Sequence, residues 1–194
     1  MSKKIILASQ SPRRKQLLKQ IGLDFEVCES QYEEDMSLDK SPVELAEFLS
    51  YKKAEEVASH YQEGIVIAGD TMIIFDGKVI GKPKDMADAQ QTLEKFSGKK
   101  VEVISGLTIW DTASNKKITT HGTGWVKFRN LDKKEIKNYL QAEPEALGFA
   151  GSFGALNKGA VLIEEFSGDF YSITSLPLTK LYVGLKKLGV KVFN

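Results

Sequence analysis

Ser9-Gln10-Ser11-Pro12-Arg13-Arg14 places two hydroxyls and two guanidiniums within six residues. The apolar stretch Ile5-Ile6-Leu7-Ala8 before it reads as a short buried strand. Ser11 then suits a helix N-cap and Pro12 the first helical position, where a missing N–H costs nothing. A strand feeding a polar turn into a helix start favours an anion, because free N–H groups and the positive end of the dipole meet there. Two arginines in that first turn are repelled by the same dipole. A phosphate would relieve the repulsion and suits hydroxyls, amides and guanidinium forks alike. Two surface arginines paired with nearby acids account for these residues equally well.

Gly69-Asp70-Thr71 lies inside an apolar run, between Ala68 and Met72. A carboxylate buried there needs a cation, a donor or a metal; an Asp capping a turn at the sheet edge is the ordinary alternative. Lys53 stands four residues after Leu49 and four before Val57, on their apolar helix face. Such a lysine usually snorkels to solvent, and less often ends in a cleft against an anion. Lys82 sits in the constrained turn Gly81-Lys82-Pro83, where a solvated lysine is the common case. Glu33-Glu34-Asp35 is an acidic run of the kind that solvates a surface, but a hard cation such as Mg²⁺ takes carboxylate oxygens of this type. His60 and His121 have no metal-ligand spacing, and the chain has neither a Walker A nor a GxGxxG motif.

The elements that would carry these groups alternate. A first helix follows Ser11 and stops near Gly22. A second opens with the capping box Ser41-Pro42-Val43-Glu44 and runs to about Tyr61, with Leu45, Leu49, Ala54, Val57 and Ala58 inward. Residues 64–68 and 72–75 read as strand, Asp76-Gly77 as a hairpin turn and 78–80 as the return. Helices are expected over 85–96, 132–141 and 177–188, and long strands over 101–110 and 118–128. Residues 160–164 and 170–173 read as a strand pair around Ser167-Gly168-Asp169. The outcome is an α/β fold with a mixed sheet, because the hairpins exclude a purely parallel one.

The 194 residues suit one domain over 1–194 or two small lobes. With 42% hydrophobic and 27% charged residues, the balance is that of a globular chain rather than a disordered one. The lone cysteine, Cys28, excludes an internal disulfide and a CxxC zinc site. No apolar run approaches the roughly 20 residues of a membrane helix, and the expected location is the cytoplasm. Residues 1–23 carry six cationic and no acidic side chains, whereas residues 24–47 carry nine acids against Lys40. The cations gather at one helix start and not over an extended face, and the net charge is +1, so nucleic acid is not an expected partner.

Taken together, these motifs resemble the Maf family of nucleotide pyrophosphatases over essentially the whole chain. Residues Ala8 to Arg14 match its opening signature, Glu33 its acidic position, Lys53-Ala54 its helix lysine and Asp70-Thr71 its central motif. Gly81-Lys82-Pro83, Ser97-Gly98, Ala150-Gly151-Ser152-Phe153-Gly154, Gly168-Asp169 and Leu176-Pro177-Leu178 match later segments. The resemblance implies a fold like that of the inosine-triphosphate pyrophosphatases, with two lobes around a cleft. It implies hydrolysis of a nucleoside triphosphate to the monophosphate and pyrophosphate with Mg²⁺ or Mn²⁺, clearing nucleotides, with a homodimer as the candidate assembly. A nucleotide-binding regulator of cell division with little turnover is the rival reading.

Residue by residue, Asp70 is the expected catalytic base or metal-linked carboxylate and Glu33 its metal partner. Ser9, Arg14, Lys53 and Lys82 are expected around the phosphates. Arg13 and Thr71 match positions that tune base choice, with the residues of the dTTP/UTP branch. The chain departs from that pattern at Ala68-Gly69, which inverts a small pair, and at Val101, which replaces a histidine. Phe153 replaces a tyrosine, and Leu156 stands where the dTTP/UTP branch has glutamine and the 7-methyl-GTP branch glutamate. Asn157 next to it retains an amide. Pyrophosphatase chemistry therefore carries over more firmly than base specificity.

Overall fold

The computed structural model describes residues 3–35 and 38–193. It divides the chain into two compact units. The first comprises Met1–Thr71, Ser105–Gly122 and Ser175–Asn194, and the second Met72–Ile104 and Thr123–Thr174.

Seven strands follow the hydrogen-bonded order β2-β1-β3-β5-β6-β7, with β4 paired to β3. They are β1 (Ile5–Leu7), β2 (Glu26–Val27), β3 (Ile65–Phe75), β4 (Lys78–Ile80), β5 (Lys100–Asp111), β6 (Lys116–Phe128) and β7 (Ile163–Gly168). β1 runs parallel to both β2 and β3, whereas β4 on β3 and β7 on β6 are antiparallel. The mixed sheet expected from the hairpins is present. Gly69-Asp70-Thr71 does not break the strand. The two short runs expected on either side of it form one eleven-residue β3, whose residues 65–71 belong to the first unit and 72–75 to the second.

In the first unit, α1 (Pro12–Gln20) begins as its sequence dictates, with Ser11 Oγ accepting from Arg14 N. α2 (Pro42–Ala58) carries both bonds of its capping box, Glu44 N to Ser41 Oγ at 3.3 Å and Ser41 N to Glu44 Oε2 at 2.9 Å. Ala54, Val57 and Ala58 of α2 pack with Ile6, Ala8, Val66, Ala68 and Trp110 of the strands. α2 approaches β5 so closely that a Cβ on Gly106 would stand 2.1 Å from the Ala46 carbonyl oxygen. That contact fixes the height of α2, and with it Lys53, over the sheet. The last helix, α6 (Leu178–Lys187), lies within the range expected over 177–188 and buries Leu178, Leu181 and Leu185.

In the second unit, β3 turns into β4 through Asp76 (φ +48°) and Gly77 (φ +73°). Two successive left-handed residues make the hairpin turn that Asp-Gly favours. α3 (Met86–Phe96) and α4 (Lys133–Ala142) cover a core that includes Ile73, Leu93, Val103, Val126 and Ile136. Phe96 links Phe75, at 5.1 Å between ring centroids, to Phe128, at 5.3 Å, and Phe128 meets Phe153 at 4.9 Å. Short 3₁₀ turns occupy Pro144–Gly148, Ala150–Ser152 and Lys158–Leu162.

The strand pair expected over 160–164 and 170–173 is corrected. The strand is β7, and Phe170–Ile173 is a helical turn, α5. Asp169 decides this, since its carboxylate accepts from Tyr171 N at 3.1 Å and Ser172 Oγ at 2.5 Å, an N-cap that outweighs the strand-like composition.

Candidate active site

β1 ends into the turn that starts α1, so Ser9 and Arg14 are set by local geometry. Ser9 is 9% exposed. Its Oγ accepts from Ser11 N at 3.2 Å and from Arg14 Nη1 at 3.0 Å. Both lone pairs are then engaged, and the hydroxyl proton remains for an anion. Arg14 also donates from Nε to the Ser175 carbonyl at 3.2 Å and from Nη2 to Thr71 Oγ1 at 3.3 Å. Burial lowers the guanidinium's pKa from its ordinary value, and the charges of Asp70 and Glu34 act in the opposite sense. Arg13 is half-buried in the same first turn, which contains no acidic residue of its own.

β3 supplies the next pair. Successive side chains on a strand face opposite ways, so Asp70 and Thr71 serve different partners. Asp70 is 7% exposed and its Oδ1 lies 2.6 Å from Lys53 Nζ. Thr71 turns instead to Arg14 and to Ser105 Oγ, at 2.9 Å. Between Ala68 and Asp70, Gly69 admits no side chain without disturbance. A Cβ there would come within 3.2 Å of Arg14 Nε and 3.3 Å of both the Gly106 oxygen and Leu176 Cδ1. The inverted Ala68-Gly69 pair thus puts the smallest residue against the arginine.

Lys53 takes the rarer of its two expected courses. It does not snorkel: its side chain is 14% exposed, and its ammonium is shared between Asp70 Oδ1 and Glu34 Oε1, 2.6 Å from each. Of the acidic run, the structure brings Glu34 to Lys53, although Glu33 and Glu34 are both exposed. Ser9, Arg14, Lys53, Asp70 and Thr71 therefore gather in the first unit. Lys82 is an exposed residue of the second unit, tied into it by the bond from Gly151 N to the Gly81 carbonyl at 3.1 Å. Leu156 and Asn157 are half-buried there, in the turn after the Gly-rich segment.

Three participants were not singled out from sequence. Glu34 is indistinguishable from Glu33 in a run without periodicity. Ser105 is a fully buried strand serine signalled only by Gly106 beside it. Ser175 is 1% exposed with φ +106°, a left-handed conformation rare for serine, and it turns its carbonyl to Arg14 and Thr71. Only the following Leu176-Pro177 hints at a constrained turn.

Among the described residues, no three His, Cys, Asp or Glu side chains cluster as a ready metal cage. Two carboxylates beside one phosphate-seeking region nevertheless suit Mg²⁺ or Mn²⁺, which bind through one or two carboxylates and complete their shell with water and substrate phosphates. The position between Asp70 Oδ1 and Glu34 Oε1 is taken by the Lys53 ammonium. The histidines stand apart from this set: His60 pairs with Glu56 and His121 with Glu47. Also among the described residues, no helix is long and apolar enough to cross a membrane.

The sequence profile described as Maf-like protein matches residues 4–188, through both units. A dTTP/UTP pyrophosphatase of Ruminiclostridium cellulolyticum is 43% identical over 98% of this chain and 98% of its own. One from Methanosarcina mazei is 44% identical over 99% and 98%, and one from Bacillus cytotoxicus is 40% identical over 95% of each. Among solved structures, the Staphylococcus aureus Ham1 protein aligns with a TM-score of 0.46 and 16% identity, over 66% of this chain and 73% of that one.

Proposed function

Since the chain belongs to the family of Maf-like proteins, we propose that it is a nucleoside triphosphate pyrophosphatase. It hydrolyses pyrimidine substrates of the dTTP and UTP type to the monophosphate and pyrophosphate, in the cytoplasm. The observation that carries the reading is the Lys53 ammonium shared between Glu34 and the buried Asp70, in the same unit as the Ser9–Arg14 helix start. Relatives that match this chain end to end at 40–44% identity bear the same substrate names.

The residues divide the work. Arg14 receives phosphate oxygens at the N-terminal end of α1, where the helix dipole favours an anion, joined by the Ser9 hydroxyl proton. Lys53 engages Oδ1 of Asp70, which leaves the other carboxylate oxygen to accept a proton from water. The water oxygen bonds to the α-phosphorus, its proton passes to Asp70, and the bond from the α-phosphorus to the bridging oxygen breaks to release pyrophosphate. A divalent metal, held by Asp70 and Glu34, would supply charge neutralisation and acidify bound water. Fixed cations facing the charge that develops on the phosphates supply most of the rate.

Leu156 bears on the base. Apolar contact discriminates by only about 1–3 kcal/mol per methylene, whereas a site built on hydrogen bonds rejects a mismatched base strongly. Base choice is therefore broader than in a glutamine-bearing relative, with pyrimidines still preferred. The test of the proposal is Asp70→Asn, assayed by pyrophosphate release from UTP and dTTP with Mg²⁺ or Mn²⁺. Loss of a general base costs ~10²–10⁴ in rate. Near-normal turnover in a folded Asp70→Asn protein removes Asp70 from the mechanism.

A further inference from the structure

A hydroxyl offers one proton and two lone pairs. Thr71 Oγ1 spends all three. It donates to the Ser175 carbonyl at 3.3 Å, lies 3.3 Å from Arg14 Nη2 and 2.9 Å from Ser105 Oγ. A guanidinium can only donate and a carbonyl can only accept. The Thr71 proton therefore goes to Ser175, and one lone pair goes to Arg14. The contact with Ser105 then has a single solution, in which Ser105 donates to the remaining lone pair. This oxygen has no capacity left for a nucleobase.

Thr71, Ser175 and Ser9 together form a socket for Arg14. The Ser175 carbonyl accepts from both Thr71 Oγ1 and Arg14 Nε, and Ser9 Oγ takes Arg14 Nη1. Each guanidinium nitrogen thus has a fixed acceptor in the first unit. Ser105 is fully buried on β5, and Ser175 is held in its left-handed conformation at 1% exposure, so neither the donor behind Thr71 nor the carbonyl drifts with solvent. Alternation along β3 keeps Thr71 on the face opposite Asp70, away from the proton-accepting carboxylate.

We propose that Thr71 and Ser105 are positioning residues for Arg14. They set the guanidinium that receives the phosphates, and Thr71 influences substrate use through that arginine rather than by touching the base. The inference rests on the reading of Arg14 as a phosphate-binding group. It is therefore tested with a ligand that has phosphates but no base as well as by turnover.

Thr71→Val removes the hydroxyl at nearly constant shape, Thr71→Ser keeps it, and Ser105→Ala removes the donor behind it. KM and kcat are measured for UTP, dTTP and CTP, and the rise in melting temperature is measured with inorganic tripolyphosphate. Losing one hydrogen bond to a charged group corresponds to about tenfold in affinity. Thr71→Val should raise KM about tenfold for all three nucleotides alike, change kcat less, and shrink the tripolyphosphate effect. Ser105→Ala should shift the same quantities in the same direction, and Thr71→Ser should restore them. A Thr71→Val protein with altered preference between UTP and CTP but full stabilisation by tripolyphosphate overturns the proposal, as does an unchanged KM. If the wild type turns over none of the three nucleotides, the tripolyphosphate comparison still decides. If Thr71→Val does not fold, Ser105→Ala against wild type decides on the same readouts.

Discussion

Replacing Lys53 by methionine removes a charge that two carboxylates share. Its Nζ lies 2.6 Å from Asp70 Oδ1 and 2.6 Å from Glu34 Oε1, so those oxygens stand no more than twice that distance apart. At about 5 Å and an effective dielectric of about 20, two unit charges interact by roughly 3 kcal/mol. The Glu34 side chain is 44% exposed and solvent screens its share, so the expected destabilisation falls to about 1–2 kcal/mol. For a chain of this length that is a fall of about 2–8 °C in melting temperature. Adding Glu34→Gln to Lys53→Met removes the repulsion and should recover most of the loss, whereas Glu34→Gln alone should lower stability slightly. The assay is thermal unfolding of the four proteins at low salt, read as a double-mutant cycle with a coupling of about 1 kcal/mol. Raising salt to about 1 M, where the screening length is about 3 Å, should shrink the Lys53→Met deficit. A Lys53→Met protein that melts with the wild type, or a double variant that loses the sum of the two singles, refutes the shared ion pair.

Asp111 predicts an acid-sensitive stability. Its burial pushes the carboxyl up, but hydrogen bonds from Lys3 Nζ at 2.8 Å and Ser114 Oγ at 2.7 Å outweigh this and hold it below the usual carboxylate range. A depressed folded value means that the contribution is complete above about pH 4 and disappears as pH falls through the folded pKa. Asp111→Asn should therefore be less stable at neutral pH and flatter between about pH 5 and 3; unfolding curves that shift in parallel over that window contradict it. Leu156→Gln should narrow specificity constants toward dTTP and UTP relative to CTP and GTP. A wild type already selective for one base, and unmoved by the substitution, contradicts the apolar reading of that position.

What was legible in the sequence was what short-range chemistry decides. Ser11-Pro12, the Ser41–Glu44 box and Asp76-Gly77 each fix their own turn within four residues, and all three appear as expected. Asp70 was singled out because an acid between apolar neighbours demands a partner. Which partner it finds depends on α2 packing onto β5 at Gly106, a contact between residues 60 apart that no local pattern encodes. Lys53 could therefore be placed on an apolar face but not led to its two carboxylates. Glu34 and Glu33 are adjacent acids outside regular structure, and only the three-dimensional reach of Lys53 separates them. Phe170–Ile173 was misjudged because four residues carry too little periodicity to set against the cap that Asp169 provides. Ser175 was missed because a left-handed serine has no sequence signature apart from the proline two residues later.

Attack at the α-phosphorus of a pyrimidine triphosphate is the step on which the proposed function turns. Its most direct measurement is product analysis after UTP or dTTP is incubated with the protein and Mg²⁺ or Mn²⁺ in ¹⁸O-labelled water. Monophosphate and pyrophosphate are expected in equal amounts, with label entering the monophosphate by way of the attacking water. Nucleoside diphosphate and inorganic phosphate as products, or no turnover of either nucleotide, would contradict it.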